Sequence, residues 1–277
     1  MAIGDPNRIN TNIGSLNALN ALSDINRQLS ISQLRLSTGK RINEAADDPS
    51  GYSIANSFSQ KARGLGVALT GVQTAENVLS IAEGALNNIN DILMNMRDLV
   101  VQASSDTLGT TERTAITSQI TSLNAEVDRI ASKTTFNGTA LLDGTYINKR
   151  FQTGDTGVDN ISFSISSNFN STNIGLSLVS VGSSTAASNS LASLDAAVTI
   201  VTGQVQALGS TTQRLRLVEN NLSVAITNTT AAKSRIMDAD VATEQANSTR
   251  LEILRQLATA QLAQANVAPQ SVLALFK

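Results

Sequence analysis

The chain has 277 residues, of which 41% are hydrophobic but only 15% charged and 3% aromatic, with a formal net charge of −2. It contains no Cys and no His, which excludes disulfides, thiolate nucleophiles, the usual zinc ligand sets and a histidine general base. The near-zero charge gives no electrostatic footprint for nucleic acid or an anionic membrane surface, so neither is an expected partner.

The N-terminal stretch "MAIGDPNRINTN" lacks a basic segment followed by an apolar run, so no secretory signal peptide is expected. No stretch is expected to reach the roughly 18 apolar residues of a membrane span. The first element is a helix in which Leu22, Ile25, Leu29 and Leu36 alternate three- and four-residue steps, with Ser32 as the polar gap. Gly39 is placed to cap its C-terminus, and Lys40 and Arg41 sit favourably near the negative end of the helix dipole. A joint follows. Asp48 precedes a proline and is pushed out of helical conformation, which makes it an N-cap with Pro49 in the first helical position.

The second helix carries a long stripe of Ala75, Val78, Ala82, Ala85, Ile89, Ile92, Met96, Leu99 and Ala103. After a break at "SSDTLGTTE" a shorter stripe runs Ile116, Ile120, Leu123, Val127 and Ile130. Between about 135 and 185 the pattern changes: "ISFSIS" alternates as a half-buried strand does, and Asp143-Gly144 and "TGDTG" are turn signals. A fourth stripe takes in Leu191, Leu194, Val198, Val201, Val205, Leu208, Leu215, Leu222 and Ile226. The last is Leu251, Leu254, Ala258, Gln261, Ala265, Ala268, Val272 and Leu275, with a kink or a fresh start expected near Ala268 because Pro269 removes a backbone donor. Sustained spacing of this kind makes helices that pack along one another's length.

Three stretches invite a chemical reading and fail it. "RGLGVALTG" (63–71) has its third glycine misplaced for a dinucleotide loop and no strand before it, so a flexible or close-packed helical segment is expected. "STGKR" lacks the first Gly and the final Ser or Thr of a phosphate-binding loop. Glu44, Asp47 and Asp48 lack the alternating spacing and central Gly of a calcium loop. No catalytic residue, metal site or cofactor is expected, and the chain is read as a non-enzyme.

"RINEAADDPSGYSIANSF" (41–58), "GALNNINDILMNMRDLVVQ" (84–102), "VDRIASKTTFNG" (127–138) and "RIMDADVATEQANSTRLEILRQLATAQLAQANVAPQSVLALFK" (235–277) together resemble bacterial flagellin, the subunit of the flagellar filament. "INTN" at 9–12 extends the match. The resemblance implies a mainly α fold: long coiled-coil helices from both chain ends, plus a helical bundle with a small antiparallel β section. The inner coiled-coil layer is expected from 1–40 and 244–277, connecting joints from 41–51 and 234–243, and the outer bundle from 52–233, with its β section at about 135–185. Only about 50 residues separate the bundle helices here, so the extra surface domains of many flagellins are expected to be missing and the filament slim.

Self-assembly through the inner coil is assigned by the resemblance to Leu22, Ile25, Leu29, Leu36, Leu251, Leu254, Ala258, Ala265, Val272 and Leu275, and the joint to Arg41, Asp47, Asp48, Pro49 and Gly51. Expected partners are further copies of the chain, the filament cap, hook-junction proteins and an export chaperone. The expected location is the extracellular filament, reached through the flagellar secretion apparatus without a cleaved signal peptide. Arg97 and Leu99 match the pattern through which many flagellins engage the vertebrate Toll-like receptor for flagellin, but Asn95 stands where those members have Arg and Gln119 where they have Glu. Weak or absent receptor activation is therefore expected. A hook–filament junction protein shares the terminal coiled-coil plan and is the alternative reading.

Overall fold

The structure, a computed structural model, describes residues 11–274, with side chains through residue 267. Five long helices account for most of it: α1 (Ile13–Thr38), α2 (Pro49–Ala103), α3 (Thr110–Lys133), α4 (Ser184–Met237) and α5 (Val241–Ala274). Two small antiparallel hairpins lie between α3 and α4, β1 (Thr135–Phe136) with β2 (Thr139–Ala140) and β3 (Tyr146–Gln152) with β4 (Asn160–Ile165). A short 3-10 turn at Leu176–Leu178 follows. The chain divides into two compact units, one of residues 1–60 and 228–277, the other of residues 61–227. The first turns of α2 and the last turns of α4 thus go with the terminal helices, further out than the 51/52 and 233/234 boundaries expected.

In the second unit α2 supplies the spine. From Leu65 on, its buried residues run Leu65, Ala68, Val72, Ala75, Leu79, Ala82, Leu86, Ile89, Leu93, Met96, Val100 and Ala103 in an unbroken three–four repeat, and Val78 of the expected stripe is buried beside it. The expected stripe shares every second member, but Leu79, Leu86, Leu93 and Val100 take the alternate places. Ala85, Ile92 and Leu99 flank them half-buried. Helices pack along α2 on more than one side, so both flanking positions are apolar and the stripe is wider than a two-helix seam. The helix α4 runs antiparallel to it, as the Gln73–Glu219 hydrogen bond and the Arg97–Asp195 ion pair, both 2.9 Å, require.

One window of α4 has mean hydropathy 1.3, long and apolar enough by length and composition to cross a membrane, contrary to the expectation from the sequence. Its Leu194, Val201 and Leu208 lie in the bundle core. The apolar content is a heptad row.

Gly64 eases the approach of the β3–β4 hairpin to α2, while Gly71 has room for a side-chain carbon. A Cβ at Gly64 would stand 3.0 Å from Asp155 Cβ, and one at Gly71 would stand 3.6 Å from the Gln152 carbonyl. Strand β4 buries Ile161, Phe163 and Ile165 on one face, as its alternation requires. Asp143-Gly144 is not a hairpin turn. The Asp143 carboxylate accepts from the Thr145 amide and hydroxyl, and its backbone bridges Asn168. The tight hairpin turn is Asn137-Gly138, with φ of 47° and 78°, the positive pair that a two-residue turn of this kind needs.

Candidate assembly surface and joint

In the first unit α1 and α5 run antiparallel. Asn12 Nδ2 donates to the Ala265 carbonyl at 2.7 Å, Ser15 Oγ to Asn266 Oδ1 at 2.7 Å, and Ser32 Oγ to the Glu244 carbonyl at 3.3 Å. Asn12 is also the N-cap of α1, accepting from Ser15 N at 3.0 Å. The α1 seam holds Leu22, Ile25, Leu29, Ser32 and Leu36, with Leu29 and Ser32 fully buried.

On α5 the seam is Glu244, Ser248, Leu251, Arg255, Ala258, Leu262 and Ala265, again a strict heptad. Leu254 does not belong to it. It is 39% exposed, and Arg255 occupies the seam row in its place, as Leu262 does for Gln261. The sequence offers two overlapping rows that share Leu251, Ala258 and Ala265; the one that packs on α1 carries Arg255 and Leu262 where the other has Leu254 and Gln261. Helix α5 runs through Pro269 as one element, without a fresh start at Ala268. The Val272 side chain and the whole of Leu275 lie outside the described residues.

Both helices therefore keep a second apolar face. Ile13, Leu16, Leu19, Ile31 and Leu34 of α1 are exposed, as are Ile253, Leu254 and Leu257 of α5, the last at 56%. These side chains form an apolar face that the paired helices leave exposed in the single chain.

The joint is a hydrogen-bonded node. Gly39 closes α1 in the left-handed region (φ 68°), its amide donating to Arg35 O at 2.9 Å. The Arg41 amide donates to Met237 O and its guanidinium to Ile236 O, at 2.6 and 2.7 Å, and Ala239 N donates to Gly39 O at 2.9 Å. Asp47 accepts from the Asn43 and Glu44 amides at 2.9 and 3.2 Å. These two bonds, the Asn43 one foremost, hold its carboxyl below the ordinary carboxylate range, against a small opposing effect of burial and with help from the Arg35 charge. Asp48 accepts from Gly51 N at 2.9 Å and so caps α2, with Pro49 as its first residue. Any Cβ at Gly51 would collide with the Asp48 carboxylate and stand 2.8 Å from Ile42 Cδ1. Among the described residues no group of three or more acidic side chains is placed to hold a metal.

In the second unit Asn95, Leu99 and Gln119 line one groove of about 330 Å³ between α2 and α3, together with Asp98, Gln102 and Leu123. Arg97 is not among them; its Nε donates to Asp195 across on α4. Sequence reasoning missed Arg113, which is buried and donates from its two Nη atoms to the carbonyls of Ala103 and Ser105, closing the end of α2. A clue was available: a cation in the first turn of α3 opposes that helix's dipole and needs another reason to be there.

Two paired end-helices with spare apolar faces, a bonded joint and a helical bundle with small hairpins define a filament-type subunit fold. Residues 9–147 match the family described as the bacterial flagellin N-terminal helical region, and residues 191–276 match the bacterial flagellin C-terminal helical region. The flagellin of Bacillus subtilis is 36% identical over 98% of this chain and 100% of its own length. The flagellar filament 33 kDa core protein of Treponema phagedenis is 32% identical over 97% of this chain and 99% of its own. A putative flagellar hook-associated protein from Vibrio parahaemolyticus shares the fold alone, with TM-score 0.60 and 15% identity over 69% of this chain and all of that one. The chain belongs to the bacterial flagellin family.

Proposed function

We infer that the chain is a structural subunit that polymerises into the extracellular flagellar filament, with its terminal helices as the inner layer. The supporting observation is the second apolar face on α1 and α5. The pair buries only its narrow seam, leaving Leu16, Leu19, Ile253, Leu254 and Leu257 exposed. Burying a large apolar side chain yields about 1.5–3 kcal/mol, so stacking these faces offsets the ordering entropy of the ends. Contacts between different surfaces of identical copies propagate as an open helix. Leu22, Ile25, Leu29, Leu36, Leu251, Ala258 and Ala265 then hold the pair, and Leu254 serves the contact between copies. The joint of Arg41, Asp47, Asp48, Pro49 and Gly51 fixes where α1 ends and α2 begins.

Export through the flagellar secretion apparatus, a chaperone on the C-terminal segment, and contacts with the filament cap and hook-junction proteins are part of the same reading, on the strength of family membership. The groove at Asn95, Leu99 and Gln119 lacks the Arg and Glu of receptor-active members, and purified monomer should signal weakly or not at all in cells reporting the flagellin receptor. Strong signalling would overturn that part. For the filament itself, deleting residues 251–277 should leave a soluble monomer while the full chain polymerises. Normal filaments from the truncated chain would overturn the role given to the terminal helices. A hook–filament junction protein would not polymerise on its own.

A further inference from the structure

Asn137 is the only asparagine of the chain that is followed by glycine. With Gly138 it forms the tip of the β1–β2 hairpin, and both residues are exposed. The two groups that could react with each other there are unengaged. Among the described residues the Asn137 side-chain amide has no hydrogen-bond partner, and the Gly138 N–H donates to none. A Cβ built on Gly138 would meet nothing within 4 Å, so the space around that nitrogen is open. The hairpin beneath the tip is short: only Thr135–Ala140 and Phe136–Thr139 are paired, with the Leu141 amide donating to Thr134 O at 3.0 Å at its base. Two-stranded pairs of this length are marginal, and their tips open locally without the rest of the fold. Elsewhere the fold holds comparable pairs. At Asn170-Ser171, Asn170 Oδ1 accepts from Asn173 N at 2.9 Å and the Ser171 N–H donates to Asp128 Oδ1 at 2.7 Å. At Asp143-Gly144 the carboxylate is occupied by the Thr145 amide and hydroxyl.

We propose that Asn137 is a site of spontaneous deamidation, with water as the only co-reactant. As the tip opens, the Gly138 nitrogen gives up its proton to hydroxide and attacks Asn137 Cγ. The new N–Cγ bond closes a five-membered imide, the Cγ–Nδ2 bond breaks, and the leaving nitrogen takes a proton from water and departs as ammonia. A second water opens the imide at either carbonyl, leaving aspartate or isoaspartate, with no change of oxidation state. Either product adds a negative charge at the tip. Isoaspartate also lengthens the main chain inside a two-residue turn that depends on φ values of 47° and 78°, so the pairing that holds Phe136 against the bundle core is lost. The site belongs to the single chain and holds whether or not copies assemble.

The test incubates the purified full chain beside a free peptide of residues 133–142 in the same mildly alkaline buffer until half of the peptide has converted. Peptide mapping by mass spectrometry, with chromatographic separation of the aspartate and isoaspartate forms, then reads every asparagine. Asn137 in the folded chain should convert within about tenfold of the peptide's rate, because a marginal hairpin protects its tip little. Its rate should rise with pH, since the attacking nitrogen must lose a proton. Asn170 should convert at least about tenfold more slowly than Asn137, its nitrogen and side chain both being held by hydrogen bonds, one of them to a carboxylate. An Asn137 that stays intact in the folded chain while the peptide converts overturns the inference. So does an Asn170 that converts as fast.

Discussion

Leu257→Ala tests the surface proposed to hold copies together. Leu257 is 56% exposed in the single chain, so about half of its side chain remains to be buried on assembly. Full burial of a leucine contributes about 1.5–3 kcal/mol, which leaves roughly 1 kcal/mol per subunit to be gained at this position. Losing that contribution raises the critical concentration about fivefold, since 1.4 kcal/mol corresponds to a factor of about ten. The side chain stands outside the α1–α5 seam, so the melting curve of the monomer should not move. Leu257→Met, nearly volume-conserving, should assemble close to normally. Sedimentation of polymer from a dilution series measures the critical concentration, and thermal circular dichroism measures the monomer. An unchanged critical concentration for Leu257→Ala would show that this face of α5 meets nothing.

Three further outcomes follow from the geometry. Arg113→Ala leaves the carbonyls at the end of α2 without their charged donor and should destabilise the monomer by about 2–3 kcal/mol, read as a lowered melting temperature. Gly51→Ala forces a Cβ against the Asp48 carboxylate and Ile42 and should cost about 1–3 kcal/mol, with a matching loss of filament heat resistance. Glu76 has its pKa raised, first by burial and then by the Glu219 charge, with Arg216 opposing. Its folded form therefore holds a proton more tightly than its unfolded form. This group's penalty is fully present above the folded pKa and is relieved as pH falls toward the unfolded one. Glu76→Gln should melt higher than wild type near neutral pH, with the difference shrinking in acid; the opposite trend would contradict the assignment. Asp47 and Asp240, both lowered by amide hydrogen bonds, act in the other direction and lose their stabilising effect in acid.

The helices, the joint and the order of elements were legible in the sequence because periodicity, caps and Pro49 act locally. Asp48 before a proline could hardly be anything but a cap. What spacing could not give was which of two interleaved rows faces a partner. In α2 the choice between Ile92 and Leu93, or Leu99 and Val100, depends on how many helices surround it, and at Val78 and Leu79 both are buried. In α5 Leu254 and Arg255 are adjacent, and hydrophobicity alone picks the leucine, which is 39% exposed, while the seam with α1 takes the arginine. The Asn137-Gly138 hairpin was readable from its dipeptide, whereas Asp143-Gly144 carries the same kind of signal and makes an Asx turn instead. Arg97 could not be placed from sequence, since its partner Asp195 lies 98 positions away.

Electron microscopy of polymer grown from the purified chain tests the central claim most directly. A helical filament should form, with α1 and α5 innermost around a central channel and Leu16, Leu19, Ile253, Leu254 and Leu257 buried between copies. A chain that stays monomeric, or a filament in which those side chains face solvent, would contradict it.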